Sequence, residues 1–185
     1  MDGFIRFLSK YANWKYVFAG LILIIYINTV LFANVHRQMK IISPDSYGFI
    51  DVQYAYTPGK AYKIIDSYKE EGIKLYRKSI LTIDTPYPVI YGFTFALLFI
   101  LMFRKKYNFE SKFKYFILSP FFVSISDLLE NMGINTLLRY YPVKLNSIAY
   151  FTSFFTTLKW TIAGLALISF FYYFVKSIIH KRIRQ

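Results

Sequence analysis

Residues 86–103 read PYPVIYGFTFALLFILMF, and Arg104, Lys105 and Lys106 close the run. An uncharged stretch of this length is what an apolar helix needs to cross a hydrocarbon core of about 30 Å. Working outward, three more runs of the same kind appear, at 17–35, 115–138 and 147–175. The first follows Trp14, Lys15 and Tyr16; it exceeds the roughly 7–15 apolar residues of a secretory leader and has no A-x-A pattern before Asn34, so an uncleaved helix is expected. The predicted fold is all-α: a four-helix transmembrane bundle in a single integral membrane domain.

Composition agrees with this reading and excludes several chemistries. The 185 residues are 56% hydrophobic and 22% aromatic, with 18% charged, against about 25% charged in an ordinary soluble domain. There is no Cys, which rules out disulfides and thiol catalysis, and His36 and His180 lie near opposite ends of the chain. No metal site and no cofactor is therefore expected. The formal net charge of +13 raises the question of nucleic acid. These cations flank apolar runs, however, the pattern of a protein that meets anionic lipid head groups, so the expected partners are membrane lipids and not nucleic acid.

The same cations predict orientation. Arg6, Lys10 and Lys15 precede the first run; Arg104, Lys105, Lys106, Lys112 and Lys114 lie between the second and third; Lys176, Lys181, Arg182 and Arg184 follow the fourth. Only Arg139 and Lys144 lie between the third and fourth. Positive charge is retained on the inner side, so both termini are expected in the cytoplasm, in a bacterial inner (plasma) membrane. Segment 36–85 would then lie outside. Within it, Thr57-Pro58 makes a helix start, and Ala61, Ile64, Ile65, Tyr68, Leu75, Tyr76 and Ile80 recur on one helical face while lysines and glutamates take the other. The spacing predicts an amphipathic helix over about 58–82, weakened in its middle by Gly72.

Polar residues interrupt the spans. A central Asp or Lys costs roughly 2.5–3.5 kcal/mol to insert, so it persists mainly when paired or functional. On the third run, Ser124 and Asn131 fall within about 60° of Asp127, Glu130 about 60° to the other side, and Asn135 about 80° away, one stripe that must turn from lipid. On the fourth, Lys159 shares a face with Thr152, Thr156, Ala163 and Ala166, small residues that suit a helix–helix contact. On the second, Asp84, Tyr87 and Tyr91 share a face if the helix already holds at Asp84; alternatively, Asp84 or Thr85 is the N-cap before Pro86. Two carboxyls against one ammonium leave one acid without a cation, which favours a shared proton. Asp127, Glu130 and Lys159 are the candidate catalytic residues, with Asn131, Tyr91, Asp84, Tyr87 and Ser124 as candidate substrate contacts. A salt-bridge network that only fixes helix register is the competing reading.

The order Thr57-Pro58-Gly59-Lys60-Ala61-Tyr62, Asp84-x-x-Tyr87-Pro88-x-x-Tyr91, Asp127-Leu128-Leu129-Glu130-Asn131 and Thr156-x-x-Lys159-Trp160 resembles a group of small bacterial four-helix membrane proteins. The resemblance spans about 46–160 and implies the topology and the choice of residues, but no activity. Three functions remain open. The first is an enzyme acting on a lipid or lipid-linked substrate by acid–base chemistry, although G-x-S-x-G, H-E-x-x-H and P-loop signatures are lacking. In it Lys159 and Asn131 would steady an anionic group. The second is a proton-coupled transporter or a lipid- and ion-handling protein, which at this size needs a homo-oligomer or a membrane protein partner. The third is a non-catalytic assembly factor.

Overall fold

The computed structural model describes residues 2–103 and 111–182, all in helices and connecting turns. The predicted cations at 104–106 and the end of the tail, with Arg184, lie outside the described residues, as do the side chains of Lys112, Lys181 and Arg182. Six helices are present among the described residues: α1 (Asp2–Tyr11), α2 (Trp14–Ile42), α3 (Pro58–Asp66), α4 (Glu70–Phe103), α5 (Ser111–Tyr140) and α6 (Asn146–Arg182). Four of them, α2, α4, α5 and α6, are long and apolar enough to cross a membrane. The chain is a multi-pass, all-helical membrane protein.

Local chemistry sets the boundaries. Asn13 caps α2 by accepting from the Lys15 N–H at 3.0 Å, and Thr57 caps α3 by accepting from the Lys60 N–H at 3.3 Å, with Pro58 in the first turn. Short α1 turns Ile5 and Leu8 inward, and its Phe4 ring meets Phe121 edge-on at 5.4 Å. The predicted face of the amphipathic segment is buried at Ala61, Ile64, Ile65, Tyr68, Tyr76 and Ile80, while Lys60, Lys63, Lys69, Glu70, Glu71, Lys74 and Lys78 are exposed.

That segment is not one helix over 58–82, and the helix that carries the second apolar run begins before Pro86. The helix is interrupted between Asp66 and Glu70, where the Ser67 hydroxyl donates to the Ile64 carbonyl at 2.6 Å and the Lys69 N–H is taken by Ser43 Oγ at 2.9 Å. From Glu70 the helix runs unbroken to Phe103. Gly72 is no weak point: a Cβ there would lie 2.7 Å from Ser43 Oγ, so its bare backbone lets α2 and α4 approach. Asp84 is not an N-cap either. It sits in a wider turn, Ile80–Asp84, in which the Thr85 N–H reaches back to the Ile80 carbonyl at 2.9 Å. Such a turn absorbs a following proline without ending the helix.

α4 packs against α2 and α5, and α5 against α6. Hydrophobic clusters close both ends. One, at the α3 end, joins Met39, Ile50, Tyr62, Ile65, Tyr76, Ile134 and Leu137. The other joins Leu8 of α1 with Phe99, Ile100, Phe103, Phe113, Phe116 and Ile117. Between α2 and α6 a cavity intervenes instead of a packed seam.

Candidate functional site

Pro88 and Pro120 leave carbonyls without their usual donors, and polar side chains of α5 supply them. Pro88 has no N–H for the Asp84 carbonyl four residues back; the Asn131 amide donates to that carbonyl at 2.9 Å. Ser124 donates to the Pro88 carbonyl at 2.6 Å and also reaches that of Pro120 at 2.8 Å. Pro120 orphans the Phe116 carbonyl, and the Ser119 hydroxyl takes it at 2.7 Å. Asn131 and Ser124 thus join α5 to α4. Asn135 belongs to the same set, accepting from Arg77 Nε at 3.4 Å.

Glu130 turns the other way, toward α6. It is 0% exposed; its Oε1 accepts from the Thr156 hydroxyl at 2.7 Å and its Oε2 is ion-paired with Lys159. The same ammonium lies 3.1 Å from Asp127 Oδ1, and the Tyr91 hydroxyl donates to Asp127 Oδ2 at 2.9 Å. The side chains of Lys159 and Asp127 are 11% and 14% exposed. Tyr91 on α4, Asp127 and Glu130 on α5, and Thr156 and Lys159 on α6 therefore form one continuous network across three helices. Tyr87 points to α2, where its hydroxyl accepts from Asn28 at 2.7 Å. Asp84 accepts from Ser79 at 3.3 Å and stands apart from the ion pairs.

The network opens on a cavity of about 680 Å³, within the size range of small-molecule sites. Its polar end is lined by Asn28, His36, Asp51, Asp84, Asp127 and Lys159, with Tyr76, Tyr87, Tyr91 and Trp160 around them. Its other end is apolar, made by Phe95, Phe99, Val123, Ala163, Leu167 and Phe170. Ala163 and Ala166, expected to meet another helix, instead leave this space open. The helix-contact role holds for Thr152, which fills the place a Cβ on Gly133 would take, 2.1 Å from its Oγ1.

Several members escaped the sequence reading. Asp51 comes from the short turn Ile50–Val52, and its Oδ1 accepts from the Tyr76 hydroxyl at 2.5 Å. Tyr56 reaches Thr156 at 3.4 Å and donates its N–H to Ser153 at 2.9 Å. Burial pushes the Tyr56 phenol well above its ordinary range, so it stays neutral. Thr156 carried a signal, three residues before Lys159 on the same face; Asp51 carried none.

The arrangement defines a class: a helical membrane protein whose buried acid–lysine network borders a cavity polar at one end and apolar at the other. No family model, curated protein or solved structure matches the chain.

Proposed function

We propose that the protein acts on a lipid or lipid-linked substrate by acid–base chemistry, with Asp127 and Glu130 as the proton-carrying pair. Lys159 holds both carboxylates, Thr156 fixes Glu130 and Tyr91 fixes Asp127. The observation that carries the reading is the cavity between α2 and α6. It joins this network to an apolar channel long enough to involve Phe99 and Phe170 as well as Asp51. Water-filled relays favour polar walls along their length; here the polar groups are confined to one end, as a head-and-chain ligand requires. By the positive-inside argument the α3 end faces away from the cytoplasm and both termini face into it.

Native mass spectrometry of the purified protein, with lipid analysis of the producing membranes, tests this. The wild type is expected to retain a lipid, and Ala163→Phe/Ala166→Phe, which fills the channel, to lose it. Asp127→Asn is expected to retain the lipid while the membrane lipid profile differs from that made with the wild type. Retention by the filled variant, or identical profiles for wild type and Asp127→Asn, overturns the proposal. Proton flux into liposomes that Asp127→Asn abolishes, with no lipid change, would assign the carboxylates to proton relay.

A further inference from the structure

The walls of the cavity also bear on which head group it takes, an inference that rests on the lipid reading above. Asp51, Asp84 and Asp127 line the polar end, and Glu130 lies directly behind Lys159. This end of the cavity thus carries four carboxyls and the Lys159 ammonium, and that ammonium is already shared between Asp127 and Glu130. Asn131 is likewise committed, to the Asp84 carbonyl. Neither group expected to steady an anion is free to do so. A phosphate placed here would meet like charges in a weakly screened site, where repulsion costs several kcal/mol.

A cation meets the opposite situation. Asp51 and Asp84 each accept one hydrogen bond, from Tyr76 and Ser79, and neither has an ion-pair partner among the described residues. Aromatic faces surround them: Phe49, Tyr76, Tyr87 and Trp160 all line the same end. Carboxylates within an aromatic wall are the recognised setting for an ammonium group, which gains from both. The cation–π geometry is already used once, by Lys159 over the Trp160 ring at 5.4 Å.

We propose that the cavity binds a single-chain amphiphile with a cationic amine head, seated between Asp51 and Asp84 with its chain toward Leu167 and Phe170. The carboxylates exclude anionic heads, and the apolar end excludes short hydrophilic amines.

Trp160 reports on this directly. The Trp14→Phe chain, purified whole in dodecyl maltoside, carries Trp160 as its sole indole and is titrated with hexadecylamine, hexadecanol and hexadecyl phosphate. Hexadecylamine is expected to change Trp160 emission saturably and to bind at least tenfold tighter than the alcohol, while the phosphate does not compete. Asp51→Asn/Asp84→Asn is expected to lose the preference for amine and keep binding of the alcohol. Equal or tighter binding of alcohol or phosphate by the Trp14→Phe chain overturns the head-group proposal and leaves the lipid reading in place. If no amphiphile gives a saturable change, both fall. The ranking with the otherwise native cavity decides the matter even if the double variant does not fold.

Discussion

Replacing Lys159 with Met removes the one cation that Asp127 and Glu130 share. At the 3.1 Å separation from Asp127, and with an effective dielectric constant of about 20, the attraction is about 5 kcal/mol. Glu130 lies closer still and is fully buried. Much of that attraction offsets the cost of taking three charges out of water, so the pair itself adds little net stability. Deleting one partner is a different matter: the carboxylates stay buried with their desolvation uncompensated, a loss of about 3–5 kcal/mol. For a chain of this size that corresponds to roughly 10 °C in the unfolding midpoint. Thermal unfolding in detergent, followed by intrinsic fluorescence, measures it. Glu130→Gln alone should cost about 1–3 kcal/mol, since an amide oxygen kept on Thr156 turns its NH2 toward the Lys159 ammonium, while Lys159 keeps Asp127. The double variant Lys159→Met/Glu130→Gln should regain most of the loss, because Asp127 retains Tyr91 and partial exposure. A Lys159→Met loss below about 1 kcal/mol, the range of a solvated surface pair, would refute the reasoning. So would a double variant no more stable than the single.

Asn131→Leu strips the donor from the Asp84 carbonyl and should cost about 1–3 kcal/mol; in a Pro88→Ala background, where the residue-88 N–H is restored, the cost should shrink, and an additive double-mutant cycle would contradict the pairing. Gly133→Ala drives a methyl against Thr152 Oγ1 and should cost about 1–3 kcal/mol, with partial recovery in Gly133→Ala/Thr152→Ala on the same unfolding assay. Ser43→Ala should cost about 1 kcal/mol by releasing the Lys69 N–H, seen as faster hydrogen exchange in the first turn of α4 than in the wild type.

The membrane-spanning helices were legible because hydrocarbon sets a length and an uncharged run meets it. Burial of Ala61, Ile64, Ile65 and Tyr76 was legible from period alone. Where helices stop was less so. Prolines at 86 and 88 argue for a boundary, but the wide turn before them and an amide from α5, forty-odd residues on, keep α4 continuous. The polar stripe told which face of α5 turns inward, yet not that Asn131 and Ser124 look to α4 while Glu130 looks to α6. Period names a face; it does not name what lies opposite. For the same reason Ala163 and Ala166 read as contact residues when they border open space, and Asp51 could be placed only by the path of the chain between α2 and α3.

The unbroken course of α4 has a mechanical corollary. At about 1.5 Å per residue, a helix from Glu70 to Phe103 is roughly 50 Å long, well beyond the thickness of a bilayer core. Its exposed leading turns, with Lys74 and Lys78, and its cavity-lining Tyr87 and Tyr91 belong to one helix, with the wide turn Ile80–Asp84 between them. A tilt of the leading turns therefore reaches Asp127 through Tyr91, whose hydroxyl donates to it, after passing the wide turn where such a helix can bend.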